Sequence, residues 1–265
     1  MTMDKTMTYL FSDGGRAALR DFVDRKTLFA FDLDGTLASI VADPSLIKVP
    51  DELRARLSRL CRLTTVAVVT GRGRADARAH LGFNPRYLVG NHGAEGLPGR
   101  EEEEAGFVQL SSAWEKQLRR LLPEERSAGI VIENKGATLS LHYRNAPDPD
   151  MAQKEILDAM QRLSSLPRRV SGKYVENLAP QEAPHKGEAL SFIMHHLGCR
   201  RALFVGDDET DEDVFRLRDD AIFGIRVEMN PRSAARYFIH DRDEIAALLD
   251  EIMATLEKPD GMDVS

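Results

Sequence analysis

The chain has 265 residues, 42% of them apolar and 30% charged, enough to bury a core in one large unit or two modest ones. Its formal net charge of −7 excludes a broad nucleic-acid surface and leaves room only for a local basic pocket. No apolar run approaches the roughly 18–20 residues that a membrane span needs, which excludes a membrane-spanning class.

The opening stretch MTMDKTMTYLFSDGG lacks the apolar centre of a signal peptide. The two cysteines, Cys61 and Cys199, show neither CxxC nor metal-type spacing, so both are expected to be reduced packing residues of a cytoplasmic protein. Residues 28–33, LFAFDL, predict a buried strand that runs into Asp32 and Asp34. Residues 51–63 follow Pro50 and place Leu53, Leu57 and Leu60 on one helical face. Residues 65–69 form a β-branched run that stops at Thr70-Gly71-Arg72. A helix ending at Gly82 and a short strand over 86–90, broken by Asn91-His92-Gly93, come next.

The middle of the chain reads differently. The acidic run Glu101–Glu104 is expected to be a solvated loop, followed by a helix around Trp114–Leu122. Strands are predicted over 129–135 and 137–144, a helix over 149–166, and a further strand-like piece over 168–178. Alternation in the first two strands points to a half-buried sheet with helices on one face. Beyond it the earlier rhythm returns, with helix over 186–198, strand over 201–206, helix over 211–218, strand over 221–227 and a long amphipathic helix over 242–258. Short apolar strands alternating with helices imply a parallel sheet covered on both faces. The expected fold class is therefore α/β: a Rossmann-like core from residues 1–94 and 185–265, interrupted by an inserted α+β unit over 95–184.

In a parallel sheet, ligands bind beyond the carboxyl ends of the strands. Asp32 stands at such an end, and Gly35 lets the chain turn close to a ligand. Taken alone, the pair of aspartates also suits an ordinary solvated turn. Other strand ends add to it: Thr70 and Arg72 after one strand, Asp207, Asp208 and Asp211 after another, and Lys186 at a helix start. A hard divalent cation relieves the repulsion among such carboxylates; Mg²⁺ takes one or two of them together with water and substrate oxygens. The ion also draws a phosphate dianion into a pocket that would otherwise repel it. A carboxylate is a competent nucleophile toward phosphorus, and a second one can serve as acid and base.

The segments FDLDGTL, VVTGR, HKGEAL and VGDDETDED resemble, in order and spacing, the four motifs of haloacid dehalogenase (HAD) superfamily phosphatases. VGNHGAEG, IENKGATLSLHYRNAP and GDDETDED further resemble the trehalose-6-phosphate phosphatases, in which a cap between the second and third motifs grips the disaccharide. The resemblance implies an aspartyl-phosphate mechanism with Asp32 as nucleophile and Asp34 as acid and base. Thr70 and Lys186 would hold the phosphoryl group. Mg²⁺ would be held by Asp32, the main chain of Asp34, and Asp207, with Asp208 and Asp211 as nearby or water-mediated partners; Asp211 would equally suit a helix cap.

For the sugar, the resemblance implies Glu133, Lys135, His142 and Arg144 on the cap, each of which would also suit a solvated or structural position. Arg72, Asn91 and His92 lie on core loops facing the cap, to touch substrate or to order those loops. The family's E-x-R-P pattern is altered in YVENLAPQEAPHKG: Glu176 fits as the third cap contact if the loop carries a small insertion. The expected arginine is missing, with Leu178 or Ala179 near its place and Glu182 an alternative acid. Two other readings stay open, a capped phosphatase for another sugar phosphate of the sucrose phosphate or glucosylglycerol phosphate type, and a non-catalytic sensor. The sensor requires a broken catalytic set, whereas Asp32, Asp34, Lys186 and Asp207 are all present. The resemblance also implies a trehalose-6-phosphate synthase as pathway neighbour, no nucleic-acid partner, and opening and closing about segments 93–96 and 183–185.

Overall fold

The computed structural model describes residues 7–41, 43–123, 127–217 and 220–258. In chain order the first elements are β1 (Thr8–Tyr9), α1 (Asp13–Phe22), β2 (Leu28–Phe31), α2 (Asp51–Leu63), β3 (Val66–Val69), α3 (Arg74–Leu81) and β4 (Tyr87–Val89). The middle holds α4 (Glu101–Leu121), β5 (Val131–Asn134), β6 (Leu139–His142), α5 (Pro149–Gln161), β7 (Arg168–Gly172) and β8 (Val175–Ala179). Then follow α6 (Lys186–Leu197), β9 (Ala202–Gly206), α7 (Glu212–Phe215), β10 (Ile222–Val227), β11 (Tyr237–Ile239) and α8 (Ile245–Leu256).

The main sheet has seven strands in the order β1-β11-β10-β9-β2-β3-β4, and every pairing in it is parallel. Strands β2, β3, β9 and β10 are buried along their whole length. That burial explains their continuous apolar runs, since a strand covered on both faces has no solvent side to make polar. Phe29 and Phe31 face a core shared with Leu57 and Leu60 of α2 and Leu248 and Leu249 of α8. Leu28 and Ala30 face the other core, with Leu190 and Ile193 of α6 and Phe215 of α7. The chain is thus a three-layer α/β sandwich, as expected.

The second sheet is antiparallel, with strand order β5-β6-β8-β7. Its registers put Leu139, Leu141 and Leu178 on one face, where they share a core with Trp114 and Leu118 of α4 and Ile156 and Met160 of α5. The buried Trp114 ring donates its indole N–H to Ser165 Oγ at 3.0 Å. The opposite face carries Glu133, Ser140 and Asn177, which stand side by side in register.

Three expectations change. The acidic run Glu101–Glu104 is not a loop but the first turn of α4, a helix of 21 residues. Carboxylates there complement the partial positive charge of the helix N-terminus, and Glu104 accepts the Gly96 N–H at 2.8 Å. The piece over 168–178 is a hairpin rather than one strand, turned at Tyr174, whose φ is +61°. The short strands β1 and β11 and helix α1 were not predicted.

The two segments that join the sheets run side by side: a Cβ at Gly93 would lie 2.7 Å from the Pro184 carbonyl oxygen. Among the described residues no helix is long and apolar enough to cross a membrane.

Leu141 is fully buried between the second sheet and its helices. Replacing it by alanine is expected to destabilise the chain by about 2–5 kcal/mol, the range for a large-to-small change in a packed core. Urea unfolding of Leu141→Ala, followed by the fluorescence of Trp114, checks it.

Candidate active site

The parallel register between β2 and β9 sets the geometry. Phe31 pairs with Val205, so the residues after each strand emerge next to one another at the carboxyl edge. Asp32 donates its N–H to the Val205 carbonyl at 2.9 Å, and its residue is only 4% exposed. Asp32, Asp207 and Asp211 each bring a carboxylate oxygen to within 4.8 Å of the others. Lys186, the first residue of α6, lies between two of them, 3.0 Å from Asp32 Oδ1 and 2.7 Å from Asp211 Oδ1. Gly35 has φ +83°, and a Cβ there would overlap the Asp207 carboxylate. Thr36 donates its hydroxyl to Asp207 Oδ1 at 2.8 Å.

One buried ammonium does not balance three carboxylates. Burial pushes the Asp32 carboxyl well above its ordinary range, and the charges of Asp211 and Asp207 add to this against the pull of Lys186. Burial and then Asp211 push Asp207 up to about 7, opposed by Thr36 and Lys186. Burial works against the Lys186 charge, but Asp211 and Asp32 outweigh it and hold the ammonium above its usual range. The donor set is oxygen-only, compact and over-supplied with negative charge, which fits a hard divalent cation such as Mg²⁺.

The cluster contains Asp32 and Asp207 of the expected ligands, and of the two nearby partners, Asp208 and Asp211, it contains Asp211. The Asp208 carboxylate caps a short turn over Glu209–Asp211, accepting the Glu209 N–H at 2.6 Å. Asp211, at the end of that turn, points back beneath the loop and accepts the N–H groups of Asp207 and Asp208, both at 2.9 Å. Of the two nearby partners, Asp211 therefore lies within the cluster, whereas Asp208 serves as the cap. The Asp34 carboxylate is held apart by a bidentate fork from Arg72, at 2.7 and 2.8 Å. Arg72 is anchored in turn by Asp76 at 2.8 Å. Thr70 is buried at the end of β3, and its hydroxyl accepts the Arg72 N–H at 3.2 Å.

The second sheet closes over this edge. Asn91 Nδ2 donates to the Lys135 main-chain carbonyl and to Glu95 Oε2, both at 2.9 Å. Its Oδ1 accepts the Thr138 hydroxyl at 2.6 Å. Asn91 is thus a stitch between core and cap, with its amide already engaged. His92 follows at φ +58° and packs its ring against Gly71, where a side chain would collide. Burial, with Lys186, Lys135 and Arg168 nearby, pushes the His92 pKa well below its usual value, so the ring is neutral. Its Nδ1 is buried and makes no hydrogen bond among the described residues.

On the open face of the cap sheet, His142 Nε2 lies 2.8 Å from Glu133 Oε2 and Lys135 Nζ lies 3.8 Å from the same oxygen. The hydrogen bond from His142 holds Glu133 below its ordinary range, outweighing the smaller effect of partial burial. Lys135 is pushed down, chiefly by burial, against the pull of Glu133. Arg144 lies exposed in the turn after β6, and Glu182 is exposed in the segment before α6.

Glu176 is not brought to this face. It is fully buried on the helix-packed side, opposite Leu141 in register. Arg169 donates to it at 2.6 and 2.8 Å, Gln153 at 2.7 Å and Ser171 at 2.9 Å. Arg169, Gln153 and Ser171 outweigh the effect of burial and hold its pKa low.

The sequence reading missed Asn177, which shares the open face and accepts the Ser140 hydroxyl at 2.5 Å. It also missed Arg168, which stands opposite Ala179 and donates to the Ala183 carbonyl at 2.8 Å. Neither carries a local signal, because each acts through the register of a hairpin that the pattern did not reveal.

Comparison with known proteins bears on the family and the fold. A family model described as trehalose-phosphatase matches residues 30–240. A probable trehalose-phosphate phosphatase of Sinorhizobium fredii is 33% identical over 228 residues, covering 81% of this chain and 82% of its own length. Probable trehalose-phosphate phosphatase 4 of rice, Oryza sativa subsp. japonica, is 28% identical over 239 residues; the match covers 85% of this chain but 65% of the rice protein. Among solved structures, a trehalose-6-phosphate phosphatase related protein superposes with a TM-score of 0.68 at 21% identity, covering 88% of this chain and all of that one. This last likeness shows a shared overall fold. The matched family model, spanning both the acidic cluster and the cap, places this chain in the trehalose-phosphatase family.

Proposed function

We propose that this protein is a Mg²⁺-dependent phosphatase that hydrolyses trehalose 6-phosphate to trehalose and inorganic phosphate. The observation that carries the reading is the gathering of Asp32, Lys186, Asp207 and Asp211 beneath a cap face that presents Glu133, His142 and Lys135.

Asp32 is the nucleophile. One of its oxygens forms a bond to phosphorus as the ester P–O bond breaks, and the departing sugar oxygen takes its proton from Asp34. Asp34 then removes a proton from water, whose oxygen attacks phosphorus and releases phosphate with the Asp32 carboxylate restored. Arg72 keeps Asp34 oriented for both transfers. Lys186 and the Thr70 hydroxyl hold the phosphoryl oxygens and offset charge that builds on them. Asp32, Asp207, Asp211 and the main chain of Asp34 would hold Mg²⁺, which supplies charge neutralisation between nucleophile and phosphate.

On the cap, Glu133 and Lys135 offer an acceptor and a donor to sugar hydroxyls, with His142 fixing Glu133. His92 and Arg144 line the approach from the core loop and the turn after β6. Asn91 serves to order the closed state. The reaction that supplies the substrate is a synthase that joins two glucose units and leaves one phosphorylated. With Cys61 and Cys199 both free thiols, the cytoplasm is the fitting compartment.

The experiment is a phosphate-release screen over trehalose, sucrose, glucosylglycerol and glucose phosphates, with Mg²⁺ and after chelation. Trehalose 6-phosphate is expected to be turned over fastest, with activity lost on chelation and restored by Mg²⁺. Asp32→Asn is expected to lower kcat by about three orders of magnitude or more; near-normal turnover would refute the nucleophile. Glu133→Ala is expected to cost about 10–100-fold in kcat/KM for the disaccharide ester, the value of a lost charge-assisted hydrogen bond. The same variant should stay within about twofold of the parent on a small aryl phosphate, and equal losses on both would remove Glu133 from the sugar site.

A further inference from the structure

The loop that carries Asp207 is gripped from two sides, and one grip belongs to none of the motifs above. Below the loop, Asp211 accepts the N–H groups of Asp207 and Asp208. On the other side Arg226, which stands beside Gly206 in the register of β10 and β9, reaches over the end of β9. Its Nη2 donates to the Asp207 carbonyl. Its Nη1 donates to the Asp208 carbonyl at 3.2 Å and to Glu212 Oε1 at 3.1 Å. Arg226 is 9% exposed and Glu212 5%. Glu212 is itself braced, accepting the Ser233 hydroxyl at 2.6 Å and the Ala234 N–H at 2.9 Å. Stripping water from a guanidinium and a carboxylate is costly unless their hydrogen bonds are replaced; here the Nη groups of Arg226 find two peptide carbonyls and Glu212, and Glu212 finds Ser233 and Ala234, while Arg226 Nε has no partner among the described residues.

Resting on the divalent-cation reading above, we propose that Arg226, braced by Glu212, is the positioning residue for Asp207 and sets the cation affinity of the cluster through geometry. Two roles for Arg226 predict opposite signs. As a mere positive charge beside a cation site, it repels the ion, and its removal tightens binding. As a clamp on the loop, it holds the Asp207 carboxylate in place, and its removal weakens binding. Partners that orient a metal ligand characteristically contribute about 10–100-fold in affinity.

The test uses Mn²⁺ as the probe and the full chain, reading the free ion by its paramagnetic resonance signal. Arg226→Gln removes the charge and keeps a planar donor; its Kd for Mn²⁺ is expected to rise about tenfold or more. Arg226→Lys, which keeps the charge but not the fork, is expected to fall between the two. Unchanged or tighter binding by Arg226→Gln overturns the proposal. Should that variant fail to fold by circular dichroism, Ser233→Ala carries the test. It loosens the brace on Glu212 and is expected to raise Kd by about threefold, a fraction of the full orienting effect; no change there overturns the proposal equally. If the unmodified chain binds no Mn²⁺, the cation reading itself fails and this inference falls with it. Binding by the parent with no effect of the variants removes the inference alone.

Discussion

Everything at the carboxyl edge of the main sheet depends on an imbalance of charge. Asp32 and Asp211, both buried, and the half-buried Asp207 crowd together around a single ammonium, Lys186. Buried like charges raise one another's energy unless something of opposite sign joins them. The fold does not relieve this by separating the groups. It holds them in place: the parallel register of β2 and β9 puts Asp32 next to the Asp207 loop, Gly35 leaves no side chain between them, and Thr36 fixes one Asp207 oxygen. Such a cluster is stabilised on binding a cation and, through it, an anionic ester.

The core was legible because its strands are covered on both faces. A strand buried on two sides shows as an unbroken apolar run, and three of these runs, β2, β3 and β9, lead directly into Asp32, Thr70 and Asp207. That pattern makes Asp32, Thr70 and Asp207 legible in the sequence. The carboxylate that completes the cluster was less so. Asp208 and Asp211 are alike in composition and differ only in which side of a short turn they face, and that depends on a turn of three residues whose shape no periodicity encodes. The acidic run over 101–104 misled for a related reason. Four consecutive charges look the same in a solvated loop and in the exposed first turn of a helix, and only the length of α4 beyond them decides.

The cap was legible in outline and not in parity. Alternation in β5 and β6 is compatible with their polar groups sharing one face, and Glu133 and His142 do share it, across a short turn marked by Gly136. The hairpin of β7 and β8 turns instead at Tyr174, a residue rarely chosen for a left-handed conformation. Without that turn the parity of Glu176 was open, and the structure shows it on the helix-packed side, satisfied by Arg169, Gln153 and Ser171. A polar residue in a strand points outward or inward according to a count of one, and a hidden turn changes the count.

The same parity has an evolutionary corollary. Leu139, Leu141 and Leu178 of the cap strands are committed to the Trp114 core, while Glu133, Ser140, Asn177 and His142 on the alternate positions face away from it. Folding and molecular recognition are thereby written on separate lines of one ribbon. Lineages that inherit this lid are free to drift along the second line, trading one carbohydrate preference for another, without renegotiating the first.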